Sequence, residues 1–294
     1  MQVIYTATLG RNGSQNLVDT FNRLGVDCIG EHEPPDLPMR QLGHRPFFRK
    51  RGWLGPASRV AYFGQSFQRK FFAPDELMGR GQALEWVEHG NTARLADLAR
   101  RRVQRLERFK RRGFKHYLEA GPYFLRTYGR QTHQLIPDLK LVKLTRDPLQ
   151  NAKSFVNRGK DPFRISLRPD RHGNIFQLRG WESLSEFQLY VYLWIETELK
   201  FADFVANHSV NGIFSIETSQ LSDPNRITEL FEFFGIEHRS MDGLAATNRA
   251  EEHNRPRTTV TPEDVDAFNA VIDLVPPALL DQIEFLKDYT PVSE

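Results

Sequence analysis

The chain has 294 residues, of which 39% are hydrophobic and 26% charged, and this is the composition of an ordinary globular protein with one sizeable core. A net charge of only +3 argues against a protein that coats nucleic acid with its whole surface, although the uneven spread of Lys and Arg suggests one basic face. The single cysteine, Cys28, excludes an internal disulfide.

No apolar run reaches the length of a membrane span, and the N-terminus lacks the basic and then apolar pattern of a signal peptide. We therefore expect one domain over residues 1–294 in a reducing cytoplasm. These features leave the oligomeric state open.

A strand, a polar turn and a helix follow one another within residues 3–24. The spacing of the apolar residues changes from that of a strand to that of a helix across residues 10–14. Gly13 allows the backbone to approach a ligand closely, and the first N–H groups of a helix have no partner within it, so the turn suits a phosphate. Arg11 adds a fork of cationic donors.

A second strand is predicted over residues 26–29, and the polar residues Glu31, His32 and Glu33 follow it before two prolines. Acids and an imidazole at the end of a strand lie where open α/β sheets bind ligands. A solvated polar loop is the alternative reading.

Residues 36–72 are rich in Arg, Gly, Pro and aromatic residues without a period, and we expect a long loop or lid there. Residues 91–112 form a predicted helix with an almost wholly basic polar side. This side is either a solvated face or, with the basic part of the loop, the flank of an entrance for an anionic partner. The basic residues are Arg45, Arg49, Lys50, Arg51, Arg94, Arg101, Arg102, Arg105, Arg108, Lys110, Arg111 and Arg112.

The apolar run at residues 139–145 is typical of a central parallel strand covered on both faces. Arg146 follows this strand, Pro148 begins a helix, and Ser154 comes eight residues after the arginine. The remaining predicted elements are strands over 115–120 and 213–216, a loop or lid over 159–180, and helices over 121–135, 181–208, 225–234 and from 262 onward.

The two polar stretches resemble the sulfotransferases that use 3′-phosphoadenosine 5′-phosphosulfate (PAPS). A basic residue, a small residue, glycine and serine at positions 11–14 resemble the 5′-phosphosulfate loop of that family. A strand followed by Arg146, Asp147, Pro148 and Ser154 resembles its 3′-phosphate motif. The resemblance implies a P-loop-NTPase-like α/β fold with a central parallel β-sheet flanked by helices, and the carbohydrate or bacterial type of enzyme more than the type that acts on small phenols.

The resemblance also implies which residues bind PAPS. Arg146 and Ser154 would hold the 3′-phosphate, while Arg255 and Arg257 would belong to a basic C-terminal segment that folds back over the nucleotide. The first loop departs from the family pattern, because Asn12 replaces the usual serine and Gln15 replaces a second hydroxyl residue. The residues expected around the 5′ end are Arg11, Asn12, Gly13, Ser14, Gln15 and Asn16.

Transfer of a sulfuryl group to a hydroxyl acceptor needs positioning, charge stabilisation and a base, but no metal. Arg11 would stabilise the charge on the leaving phosphate oxygen. Glu33 is the first candidate for the base, because several carbohydrate sulfotransferases have a Glu-Pro pair at the comparable position. Glu31 and His32 are the alternatives, and a glycan or glycolipid is the favoured acceptor.

Two other classes stay open. A P-loop kinase would bind ATP with the same topology, although it needs a lysine next to Ser14 and a carboxylate for magnesium. A non-catalytic protein that binds nucleic acid or another polyanion would use the basic helix, which could also contact a membrane surface. For the sulfotransferase we expect no nucleic-acid partner.

Overall fold

A sheet of five parallel strands lies at the centre of the described residues. The computed structural model describes residues 1–32, 82–159, 161–241 and 259–293. The strands are β1 (Gln2–Ala7), β2 (Cys28–His32), β3 (His116–Ala120), β4 (Lys140–Thr145) and β5 (Ile213–Glu217). They pair in the order β2-β3-β1-β4-β5, and every pairing is parallel.

Helices cover both faces of this sheet, which confirms the predicted α/β class. They are α1 (Ser14–Leu24), α2 (Gln82–Glu88), α3 (Thr92–Arg111), α4 (Gly129–Leu135), α5 (Pro148–Val156), α6 (Glu186–Asn207), α7 (Pro224–Phe233), α8 (Pro262–Ile272) and α9 (Pro277–Leu280). Phe21 of α1 and Phe231 of α7 pack on one face of the sheet, and Leu98 and Leu106 of α3 pack on the other. None of the helices in this part of the chain has the length and apolar character of a membrane span.

The position of β1 decides where a ligand can bind. The chain passes from β1 to β2 on one side of the sheet, and it later crosses from β3 to β4 on the other side, so the strand order reverses at β1. Ligands of open α/β sheets bind outside the carboxyl ends of the strands at such a point. The loops that follow β1 and β4 leave this carboxyl edge side by side, because the two strands pair directly.

The second strand differs from its prediction. It begins at Cys28 and continues through Glu31 and His32, because these two residues pair with Glu119 and Ala120 of β3. Glu31 and His32 therefore lie within the strand and not in the loop after it. Consecutive strand residues face opposite sides of a sheet, so the two side chains are directed away from each other.

Two predicted helices are shorter than expected. Residues 121–128 form consecutive turns that bury Phe124 and Tyr128, so that α4 begins only at Gly129. The long helix predicted from residue 181 begins at Glu186, because Ser185 caps it. The Ser185 hydroxyl accepts from the Gln188 N–H, and the Gln188 side chain accepts from the Ser185 N–H.

The segment predicted as a loop or lid at 159–180 is mostly irregular apart from a short 3-10 helix at Pro162–Arg164, and hydrogen bonds attach part of it to the rest of the protein. The buried Glu196 carboxylate of α6 accepts from the N–H groups of Ile175 at 2.8 Å and Phe176 at 3.0 Å. The Arg126 guanidinium donates to the Ile165 carbonyl at 2.9 Å. These hydrogen bonds hold residues 175 and 176 on α6, and they hold residue 165 on the turns before α4. The other predicted loop or lid, residues 36–72, lies outside the described residues.

Two arginines of the basic helix α3 point into the protein and not to solvent. Arg102 is 4% exposed and its Nη1 lies 2.7 Å from Glu119 Oε1, while Arg105 pairs with Glu31. The end of α3 leads into the start of β3, so its last basic residues lie at the amino edge of the sheet. They are therefore remote from the loop after β1. These last residues are Arg108, Lys110, Arg111 and Arg112.

We predict that Arg102→Ala lowers the free energy of unfolding by about 3–5 kcal/mol, because it leaves the buried Glu119 carboxylate without its cation. Arg100→Ala on the same helix is the control. Arg100 pairs with Asp97 at 3.4 Å on the exposed surface, and its loss should cost under about 1 kcal/mol. Denaturant unfolding measures both, and equal losses would contradict the structural role of Arg102.

Candidate functional site

The loop between β1 and α1 has the backbone conformation that the glycines predict. Gly10, Arg11 and Gly13 have positive φ angles of 103°, 58° and 77°. A side chain at Gly13 is excluded twice, because a Cβ there would also lie 2.4 Å from Leu221 Cδ1. Gly13 is the N-cap residue of α1, and the N–H groups of the first turn point forward from it. This loop thus presents backbone donors at the carboxyl edge of the sheet.

The structure brings the two sequence motifs together. Arg146, at the end of β4, donates from Nη1 to the Arg11 carbonyl at 3.2 Å. Arg11 in turn donates from Nε to Ser154 Oγ of α5 at 3.3 Å. Two guanidinium groups and one hydroxyl from three separate elements therefore meet beside the N-terminus of α1. Such a combination of cations, donors and helix dipole attracts an anion that carries more than one charged group.

Burial reduces the hydration of the Arg146 cation in this site. The Arg146 guanidinium is largely removed from water, which lowers its pKa, while the adjacent Asp147 carboxylate raises it. An arginine stays protonated at neutral pH even so. Arg146 is thus a cation with reduced hydration, which favours a nearby anionic group such as a phosphate.

Asn12 is turned inward, so its side chain does not face a ligand. It is 2% exposed, and its Nδ2 donates to the Leu144 carbonyl at 2.9 Å. Its Oδ1 accepts from Asn151 of α5, which also donates to the Gly10 carbonyl at 3.0 Å. Only the backbone of Asn12 can take part in binding. Sequence analysis did not predict Asn151 as part of the site. The signal that could have found it is a polar residue on the inward side of α5.

The first three residues of α1 differ in where their side chains lie. Ser14 Oγ lies 3.0 Å from Nε2 of His32, at the end of β2. Gln15 donates to Asp19 Oδ1 at 2.8 Å, so that its side chain lies along α1. Asn16 is buried, with 7% of its surface exposed. Gln15 and Asn16 can therefore offer a ligand their backbone N–H groups.

The three candidate bases have different placements. His32 lies beside the loop through Ser14, as given above. Glu31 pairs with Arg105 on the other face of the sheet and accepts from the Tyr117 hydroxyl at 3.0 Å. Burial raises the pKa of Glu31, and the Arg105 cation lowers it. Glu33, the first candidate, lies outside the described residues.

The predicted contribution of the C-terminal basic segment also falls on residues that the structure does not describe. Arg255 and Arg257 lie within 242–258, and their role over the nucleotide stays a prediction. The basic residues of the first long loop, between positions 45 and 51, lie outside the described residues as well.

Helix α5 presents Ser154 because its start is well defined. The Asp147 carboxylate caps it by accepting from the Gln150 N–H at 2.8 Å, and Pro148 occupies the first turn. Ser154 follows two turns from the start, on the side of Arg11. The Trp194 indole of α6 donates to the Arg146 carbonyl at 3.1 Å, a contact that sequence reasoning missed.

No protein-family model matches this sequence, and no curated protein matches it either. Among solved structures, the sulfotransferase domain from the Synechococcus PCC 7002 olefin synthase is similar to it. The similarity covers 99% of this chain and 95% of that chain, with 13% sequence identity and a TM-score of 0.49. A likeness of this size does not assign an activity, so the function proposed below rests on the residues of this chain.

We predict that Gly13→Ala lowers the free energy of unfolding by at least about 1 kcal/mol more than Gly180→Ala does. Gly180 is a matched control, because it too is an N-cap residue, its φ is 72°, and a Cβ there meets nothing within 4 Å. Both variants bear the strain of a left-handed conformation, about 1–2 kcal/mol. Only Gly13→Ala adds the clash with Leu221. Similar unfolding midpoints for the two would contradict the close packing of the loop.

Proposed function

We propose that this chain is a PAPS-dependent sulfotransferase that transfers a sulfuryl group to a hydroxyl acceptor. The observation that carries the proposal is the convergence of Arg11, Arg146 and Ser154. The family motifs assign these residues to opposite ends of one nucleotide, and their side chains and backbones are in contact although up to 143 positions separate them. Neither motif alone would support this function.

The first loop suits the 5′-phosphosulfate. Gly13 adopts the left-handed conformation that begins α1, and the N–H groups of the first turn can donate to phosphate oxygens. Arg146 and Ser154 then suit the 3′-phosphate, because they lie at the end of the adjacent strand and on the helix that follows it. Arg11 contacts both residues of the second motif, since its carbonyl accepts from Arg146 and its Nε donates to Ser154.

The transfer itself is a displacement at sulfur. A bond forms between the acceptor oxygen and sulfur, and the bond from sulfur to the bridging phosphate oxygen breaks. The electron pair of that bond stays on the phosphate, where Arg11 and the loop N–H groups stabilise the charge. The proton of the acceptor hydroxyl passes to a base of the protein. The products are a sulfate ester and 3′,5′-adenosine bisphosphate.

His32 is the base that the geometry favours among the two described candidates. Its ring contacts Ser14 at the start of α1, where the proposal puts the 5′-phosphosulfate. Glu31 instead belongs to a buried ion pair with Arg105. Glu33, which follows His32 in the chain, stays the alternative base.

A carbohydrate or an anionic acceptor, and a cytoplasmic location, remain predictions. The basic helix gives the acceptor prediction less support than its sequence suggested, because Arg102 and Arg105 face buried acids. Only the N-terminal part of α3, with Arg94, extends toward the carboxyl edge of the sheet. The P-loop kinase is disfavoured as well, because the Ser14 hydroxyl that would hold magnesium faces the His32 ring.

The first test of the function combines ligand binding by the wild-type protein with sulfuryl transfer by the Arg11→Ala variant. We expect 3′,5′-adenosine bisphosphate to raise the melting temperature of the wild-type protein, by the equivalent of about 2.7 kcal/mol at 100 times its Kd. ATP with magnesium would do so for a kinase, and an oligonucleotide would do so for a polyanion-binding protein. Arg11→Ala should lower sulfuryl transfer from PAPS by at least about 10²-fold.

Arg23→Ala is the control for that variant, because Arg23 lies in the last turn of α1, the helix that follows the Arg11 loop, and thus at the opposite edge of the sheet. It should keep both the thermal shift and the transfer rate. Turnover near that of the wild type in Arg11→Ala would exclude the assignment of the first loop.

The base is tested by three isosteric or near-isosteric variants. We expect His32→Gln to lower kcat by about 10²- to 10⁴-fold with little change in the Kd of 3′,5′-adenosine bisphosphate, because it removes proton transfer and not binding. Glu31→Gln should chiefly lower stability, since Glu31 pairs with Arg105. Collapse of kcat in Glu33→Gln, with an active His32→Gln, would move the role to Glu33.

A further inference from the structure

The C-terminal segment, residues 259–293, is attached to the start of α5. The Tyr289 hydroxyl donates to Asp147 Oδ2 at 2.7 Å, and the other oxygen of this carboxylate accepts from the Gln150 N–H at 2.8 Å. One carboxylate thus joins a residue near the C-terminus to the N-cap of the helix that carries Ser154. Burial and the bond to Asp147 raise the pKa of Tyr289, so that its hydroxyl remains a donor at neutral pH.

The same segment is attached to the other end of α5. Lys153 Nζ lies 2.6 Å from Asp264 Oδ2, and both side chains are mostly removed from solvent. Asp264 is itself held in the capping box of α8, where its carboxylate accepts from the Thr261 N–H at 2.9 Å. The C-terminal segment therefore holds α5 at both ends, next to Asp147 and next to Ser154.

A row of aromatic rings continues this attachment to the backbone of Arg146. The Tyr289 ring packs on Phe285 with centroids 5.3 Å apart, and Phe285 packs on Trp194 at 5.4 Å. Trp194 Nε1 donates to the Arg146 carbonyl. The peptide group between Arg146 and Asp147 is thus held on one side by Trp194 and on the other, through the carboxylate, by Tyr289.

We propose that Tyr289 is a positioning residue of the 3′-phosphate site, acting through Asp147 to fix the direction in which the Arg146 side chain leaves the end of β4. The inference rests on the proposed function, because it concerns the phosphate that Arg146 and Ser154 would bind. Asp147 shares a peptide group with Arg146, so the hydrogen bonds of its carboxylate restrict the backbone from which the Arg146 side chain leaves. Charge-assisted hydrogen bonds depend strongly on distance and angle, so a small turn weakens them.

The test compares two nucleotides that differ only in the 3′-phosphate. Isothermal titration of the full chain gives the Kd of 5′-AMP and of 3′,5′-adenosine bisphosphate. The Kd of 5′-AMP divided by the Kd of 3′,5′-adenosine bisphosphate measures what the 3′-phosphate contributes to binding. Tyr289→Phe removes the hydroxyl and keeps the ring. We expect it to lower this ratio about three- to tenfold while the Kd of 5′-AMP stays within about twofold. Arg146→Ala should bring the ratio close to one, because it removes the cation that would bind the 3′-phosphate.

Tyr192→Phe is the matched control for a merely structural effect. The Tyr192 hydroxyl is buried and donates to the carbonyl of Phe176, which lies on the loop at 161–180 and not on α5. It should lower the melting temperature and leave the ratio unchanged. Tyr289→Phe with an unchanged ratio, or with equal weakening of both nucleotides, would overturn the inference.

Two further results keep the inference separate from the proposed function. If the wild-type protein does not distinguish the two nucleotides, the 3′-phosphate site itself is wrong and the inference falls with it. Asp264→Asn, which weakens the attachment at the other end of α5, is the second variant. It should lower the ratio in the same direction, and an unchanged ratio there would exclude a positioning role for the C-terminal segment even if Tyr289→Phe does not fold.

Discussion

The buried amide pair of Asn12 and Asn151 is the contact on which the candidate site depends. Asn151 donates to the Gly10 carbonyl and to Asn12, and Asn12 donates to the Leu144 carbonyl. A buried polar group without a partner costs about 1–3 kcal/mol, so these hydrogen bonds hold the first loop in one place. Arg11 lies between the two attached residues, and its side chain is therefore directed toward α5.

The parallel sheet makes this contact possible. Strands β1 and β4 pair directly, so the ends of both strands and the loops after them are neighbours at one edge. The charges on the opposite side of β2 and β3 serve a different purpose. Glu31 and Glu119 face α3, where Arg105 and Arg102 neutralise them, and so part of a strongly basic helix stabilises the fold and not a bound ligand.

Local patterns predicted most of the fold correctly because their causes are local. The change of period around Gly13 and the proline after Asp147 determine where two helices start, whatever lies around them. The extent of β2 was not predictable in this way, because residues 31 and 32 become strand only by pairing with β3. The turns before α4 are a similar case, since buried aromatic rings and not helix propensity determine their course.

The sequence by itself determined the α/β class, the turn at Gly13 between a strand and a helix, and the spacing from Arg146 to Ser154, since each depends on neighbouring residues. Only the tertiary structure decided which side chains face the site. It turned Asn12 inward and joined Tyr289 to Asp147, 142 positions away. A side chain's partner across the fold depends on strand order and helix packing, and a local spacing does not contain that information.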